Sequence, residues 1–172
     1  MVSFGAGQLI FRQLGGKANY MARVQEDGSG LTRILEAKIV EISGVSPDGE
    51  WATFTGFATV HGTFAVSMRD HVPRRICEVA CVVQWSADGK YLYVTETTAR
   101  YATSAGLTYV IPMAHGFGHL DLPASGIDAA TDEQLAGYRS IHEGVVSPGP
   151  DPQTYAFTNA AFQGNLFRIP LH

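Results

Sequence analysis

The sequence predicts an all-β fold in which one small sheet module recurs along the chain. Three observations carry that prediction. The stretch GVSPDGEWATF (Gly44–Phe54) returns as QWSADGKYLYV (Gln84–Val94), the same tight turn followed by the same alternating strand. Glycine is abundant, at 19 residues, and extended apolar patterns of helical period are missing. Hydrophobic residues make up 45% of the 172 and charged residues 16%. That is enough apolar material for one domain with a packed core and too little charge for a disordered tail.

Aligned on the turn serine, Ser46 stands ahead of Phe54 as Ser86 stands ahead of Val94. VSFGAGQLIF sets Ser3 before Phe11 at the same distance, and VVSPGPDPQTYAF sets Ser147 before Phe157 with a slightly longer turn. In the first unit QLIF is followed by NYMARV (Asn19–Val24), then by GLTRILEAKIVEI (Gly30–Ile42), which spans an outer strand and the next inner one. In the second, EWATF leads to GTFAV (Gly62–Val66) and RRICEVACVVQW (Arg74–Trp85). In the third, KYLYV leads to GLTYVIPM (Gly106–Met113); in the fourth, TYAF leads to GNLFRIPL (Gly164–Leu171).

Up to four short strands per period of roughly 40 residues, joined by tight turns, is the signature of a propeller blade. The expected architecture is a partial β-propeller of about four blades, each of up to four antiparallel strands, the last incomplete. It forms one domain over 1–172, with blades near 1–35, 36–77, 78–123 and 140–172. An insertion loop covers 116–144, in which TDEQLAGY (Thr131–Tyr138) reads as one short helical turn capped by Thr131. An open arc of blades would expose an apolar face and unpaired edges. The chain is therefore expected to be a fragment, a truncated product, or a subunit that completes its ring by self-association through those edges.

Turn chemistry supports the repeat. Asp48-Gly49 and Asp88-Gly89 supply a positive-φ position and a side-chain acceptor for the backbone, and Pro47 presets φ. Pro148 is assigned to the corresponding turn of the fourth unit, PGPDP. The first turn, SFGAG, lacks the Asp-Gly pair. Asp48, Asp88 and Asp151 could be taken for a carboxylate set, but their repeat position makes each the servant of its own turn.

Other residues are of types that can carry chemistry. His115, His119 and Asp121 in HGFGHLD are of metal-ligating type, set against a plain polar loop. Cys77 and Cys81 are either two small buried hydrophobes or a local disulfide across a junction between strands, which needs an oxidising compartment. Trp51, Trp85, Tyr91, Tyr93 and Phe167 are either exposed anchors or filling between blades. Ser43-Gly44 and Ser104-Ala105 read as loop residues without a G-x-S-x-G elbow. Gly5–Gly7 is too short for a phosphate cradle, and Asp132-Glu133 suits the first turn of a helix. No catalytic residue, cofactor or metal is expected. Net charge is −4 and the sole basic pair is Arg74-Arg75, which argues against a nucleic-acid partner. MVSFGAGQLIF lacks the basic start and apolar run of a signal peptide, and no segment reads as a membrane span.

SPDGEWATF and WSADGKYLYV resemble the TolB-like, WD-repeat-like propeller family, and EDGSGLTRIL (Glu26–Leu35) resembles its second Asp-Gly turn with an outer strand. More narrowly, ICEVACVVQWSADGKYLYV and the stretch SPGPDPQTYAFTNAAFQGNLFRIPLH are similar to propellers at the C-termini of larger bacterial proteins, among them membrane-anchored serine/threonine kinases and winged-helix regulators. The resemblance implies a non-catalytic module for protein–protein or ligand interaction. It also implies a periplasmic or extracytoplasmic setting. The alternative is the gating propeller of a prolyl-oligopeptidase-like serine peptidase.

Overall fold

In the computed structural model the described residues are 2–15, 19–57, 61–96, 106–113, 122–123, 126–127 and 130–158. They form four antiparallel sheets in chain order. The first holds β1 (Val2–Gly5), β2 (Gln8–Leu14), β3 (Asn19–Gln25) and β4 (Thr32–Glu36). The second holds β5 (Lys38–Val45), β6 (Trp51–Phe57), β7 (His61–Ser67) and β8 (Pro73–Cys77). The third holds β9 (Cys81–Trp85), β10 (Tyr91–Glu96), β11 (Thr108–Pro112) and β12 (Arg139–Ile141). The fourth shows β13 (Val146–Pro148) and β14 (Tyr155–Phe157). Each sheet is a meander, so its strands lie side by side in the order in which they are made.

The first strands of successive sheets are neighbours: β1 lies against β5, β5 against β9, and β9 against β13. The sheets therefore fan out from their first strands, as blades of a partial propeller do. Period-two alternation supplies the packing between them. Ala52 and Phe54 of β6 join Ile10, Met21 and Ile34 of the first sheet in one core. Trp51 and Ala65 of the second sheet meet Val83, Leu92, Val94 and Ile111 of the third in another. Tyr93 and Val110, on the third sheet's opposite face, pack with Val146 and Tyr155 of the fourth. A strand buried on both faces reads as a nearly continuous apolar run, which explains EWATF and KYLYV.

The third sheet departs from the expected boundaries. Its fourth strand is β12, paired Thr108↔Ile141 and Val110↔Arg139 with β11. It lies beyond residue 123, inside the stretch assigned to the insertion and the fourth unit. The insertion thus falls between the third and fourth strands of this sheet, not after it. Within the insertion, α1 (Asp132–Leu135) is capped by Thr131, whose hydroxyl accepts from the Gln134 amide while Gln134 reaches back to the Thr131 N–H. Leu135 and Ile127 sink into the core between the second and third sheets. The Ile127 amide donates to Ile76 O on β8 at 2.7 Å, which covers part of that edge strand.

Smaller shifts have local reasons. Ser3 sits within β1 opposite Ile10, because the first turn is a two-residue hairpin in which Ala6 and Gly7 both take positive φ (50° and 71°). Ser43 and Gly44 belong to β5 and not to a loop, and the ladder is irregular there, between Ile42 and Gly44. Pro148 is the last residue of β13, opposite Tyr155, so the fourth turn begins one residue later than expected. The expected strand 164–171 lies outside the described residues. No helix among the described residues is long and apolar enough to cross a membrane.

Phe54 is fully buried and stacks on Phe64 at 5.4 Å between ring centres. Phe11 holds the same place in the first sheet but is half-buried. Phe54→Ala is expected to cost about 3–5 kcal/mol in urea denaturation, and Phe11→Ala clearly less. Equal losses would contradict the stacking described here.

Candidate functional site

Two sets of turns, those joining first to second and third to fourth strands, gather at one end of the sheets. An aspartate organises five of them. Asp27, Asp48, Asp70, Asp88 and Asp151 each accept a backbone N–H from two residues on, at 2.8–3.0 Å: Ser29, Glu50, Val72, Lys90 and Gln153 respectively. This is the Asx turn, in which a short carboxylate takes the place of a backbone acceptor.

In the second and third sheets the turn is more elaborate, and the two copies match bond for bond. Ser46 Oγ donates to Asp48 Oδ1 at 2.6 Å and accepts from the Trp51 amide at 2.9 Å. Ser86 Oγ donates to Asp88 Oδ1 at 2.8 Å and accepts from the Tyr91 amide at 2.9 Å. Gly49 and Gly89 amides return to the Ser46 and Ser86 carbonyls. Both serines are buried, so a water molecule cannot easily replace the hydroxyl. Gly49 has a further duty. A Cβ there would lie 2.4 Å from Gln8 Nε2 and 2.7 Å from Ala6 Cβ, because buried Gln8 donates to Gly49 O at 3.0 Å. The first hairpin and the second sheet's turn are thereby joined.

The fourth turn reaches the same end by different bonds. Asp151 Oδ2 accepts from the Thr154 hydroxyl, and Gly149 N donates to Thr154 O. Hydrogen bonds from the Lys90 amide and Ser86 hold the Asp88 carboxyl below its ordinary range; those from the Gln153 amide and the Thr154 hydroxyl do so for Asp151. The Ser29 hydroxyl and amide act likewise on Asp27, and the Val72 amide and Arg74 on Asp70. The aspartates do not converge. Each is engaged by its own turn, and beside them Glu50 pairs with Arg69, Asp70 with Arg74 and Asp88 with Lys90.

At the opposite end run the crossovers from one sheet to the next. Here sequence reasoning missed a second repeated device. Thr55 and Thr63 share a hydrogen bond, and Thr63 Oγ1 accepts from the Cys81 amide at 3.0 Å. Thr95 and Thr108 share one at 2.6 Å, and Thr108 Oγ1 donates to Gly144 O. A threonine of the sheet being left thus holds the chain that enters the next. Cys77 and Cys81 are joined by a disulfide across the first of these crossovers, and both are buried.

The remaining candidates are dispersed. Trp51 and Tyr93 are core residues, while Trp85 and Tyr91 are half-buried against the same cores. Burial pushes the Tyr93 phenol up. Arg74 lies over the Trp51 ring at 4.8 Å and binds Asp70, and Arg75 faces Glu78. His115, His119, Asp121, Ser104 and Phe167 lie outside the described residues.

No family model and no curated protein sequence matches the chain. Among solved structures it is similar to TolB from Acinetobacter baumannii, with a TM-score of 0.48 and 15% identity over 67% of this chain and 30% of that one. It is also similar to the β-propeller domain of the trilobed protease from Pyrococcus furiosus (TM-score 0.46, 11% identity, 64% of this chain, 37% of that one). A third is the acylaminoacyl peptidase of Pyrococcus horikoshii (0.44, 12%, 66% and 23%). The chain spans less than two fifths of the length of each of these structures.

Ser86→Ala removes a buried hydroxyl that serves two partners, and is expected to lower stability by about 1–3 kcal/mol in denaturant melts. Acid is expected to act through the lowered aspartates. The unfolded chain takes up protons first, so stability is full above the ordinary carboxylate pKa of about 4 and falls as pH drops through the folded values. Asp88→Asn keeps an acceptor and loses the titration. Its stability–pH curve should be flatter below about pH 4 than the wild type's; parallel curves would exclude Asp88 from the acid response. Cys77→Ser with Cys81→Ser is expected to cost about 2 kcal/mol for so short a loop, and the intact protein should gain two hydrogens in mass on reduction.

Proposed function

We propose that this chain is a non-catalytic β-propeller module for protein–protein or ligand interaction, the sensory or interaction part of a larger bacterial signalling protein. The observation that supports this most is the engagement of the repeated carboxylates by their own turns. The acidic residues that might have formed a reaction centre are committed to holding a rigid frame. What the frame presents to solvent is loops and turns whose outer side chains are free to vary, the usual seat of recognition on such a scaffold.

The buried Cys77–Cys81 bond supports a setting outside the reducing cytoplasm, since disulfides persist in oxidising compartments. In that setting the module would meet envelope proteins or small extracellular ligands.

The complete reading frame tests the proposal. A kinase or DNA-binding domain in frame with the sheets supports it. A hydrolase domain with a G-x-S-x-G elbow in the same frame would overturn it in favour of a gating propeller of a serine peptidase. A second measurement uses the 172-residue chain itself. Incubation with a fluorophosphonate probe should leave every serine unlabelled in the folded protein; stoichiometric labelling of one serine would contradict the non-catalytic reading.

A further inference from the structure

The bond between Cys77 and Cys81 closes a crossover that has a second fastening of its own. Glu78, Val79 and Ala80 carry the chain along the surface from the second sheet to the third. Thr63 Oγ1 accepts the Cys81 amide at 3.0 Å and donates to Val79 O at 3.4 Å. The crossover from β12 to β13 is fastened by Thr108 Oγ1 and contains no cysteine. The covalent bond is therefore additional to what a crossover of this fold needs.

Beside the bond sits the insertion. Ile76, Cys77, Cys81, Ile127 and Leu135 belong to one buried core. The Ile127 amide donates to the carbonyl of Ile76, the residue next to Cys77. Cys77 and Cys81 stand on laddered strands, opposite Thr63 and Glu96. Ile127 stands on a bend, and Leu135 closes a helix of four residues, too short to persist without tertiary packing. A disturbance at the two sulfurs thus meets firm strands on one side and a lightly held segment on the other.

We propose that the Cys77–Cys81 bond is a redox lock on the seat of the insertion. Closed, it leaves room for Ile127 and Leu135 between the second and third sheets; opened, it unseats them and leaves the sheets in place. The reductant is a dithiol. One of its thiolates attacks a sulfur of the bond, forms a mixed disulfide and expels the other cysteine as a thiolate, which takes up a proton. The second thiol of the reductant then displaces the remaining cysteine. Two electrons and two protons pass to the protein, and the dithiol becomes a cyclic disulfide. Two sulfurs once bonded must now stand at van der Waals separation, each with a hydrogen, in a close-packed layer. The insertion is what gives way. Both cysteines of the chain are in this bond, so reoxidation within one chain restores the same pairing. Because both are buried, the attacking thiol needs the insertion lifted, and unseating and reduction favour each other. The inference does not depend on the interaction reading above.

Hydrogen–deuterium exchange read by mass spectrometry tests it on the 172-residue chain, oxidised and then held in excess dithiothreitol. Reduction should speed exchange about tenfold in the peptide carrying Ile127 and Leu135. The strands Trp51–Phe57 and Tyr91–Glu96 should exchange as before, and reoxidation should reverse the change. Cys77→Ser with Cys81→Ser should match the reduced wild type whether or not the dithiol is present. Leu135→Ala, which loosens the insertion and leaves the bond intact, should be reduced several-fold faster than wild type. The proposal fails if reduction, or the double serine variant, leaves the Ile127 peptide at its oxidised rate. It fails equally if the strands loosen to the same extent, if Leu135→Ala is reduced at the wild-type rate, or if the bond resists the dithiol until the whole chain unfolds.

Discussion

Burial on both faces is the constraint from which this structure follows. A sheet with one apolar face can rest on a single partner. The second and third sheets have two, since Phe54 and Trp51, or Val94 and Tyr93, point in opposite directions from one strand. Neither sheet can satisfy its sequence without a neighbour on each side. Stacking is the result, and the closeness of β1, β5, β9 and β13 shows where the stack converges. The loops, the crossovers and the insertion are all arranged around that requirement. Even the short helix of the insertion contributes by placing Leu135 in the layer between the second and third sheets.

Local polar chemistry does a different job from this apolar layering. The turns do not drive the sheets together, but they settle the register in which strands leave and return. Ser46 and Ser86 each bring a carboxylate and a backbone amide to one hydroxyl, and so define where the hairpin ends. A slip of one residue would turn every apolar side chain to the wrong layer. The threonine pairs act at the other end, where the chain must leave one sheet and enter the next in line. Polar residues thus mark the ends of strands whose middles are almost wholly apolar.

How much of this was legible depends on how local each cause is. The Ser-x-Asp-Gly turns are written in four consecutive residues, so both the turns and the strands after them could be read directly. Asp70 performs the same bond as Asp27 but is followed by His71, which takes φ 58° where a glycine is usual, and nothing in the local pattern marks it. β12 has three residues, and its place depends on pairing with β11 across the whole insertion. No periodicity can appear in so short a strand. Thr63 and Thr108 look like ordinary strand formers; their role appears only when the crossover passes over them. Asp48, Asp88 and Asp151 recur at the spacing of the repeat, and each accepts a backbone N–H within its own turn. His115, His119 and Asp121 fall outside the described residues.

The position of the threonine latches has a consequence for how such a chain grows. Thr63 belongs to the sheet that precedes the crossover it holds, and so does Thr108. The second and third modules therefore each bring with them the fastening for what comes next, and make no demand that the successor supply one. Genetic duplication of a single module would insert a new blade already equipped with its outgoing joint, while the older joints stay intact. Blade number is on this account an inheritable variable that recombination can raise or lower without redesigning the parts.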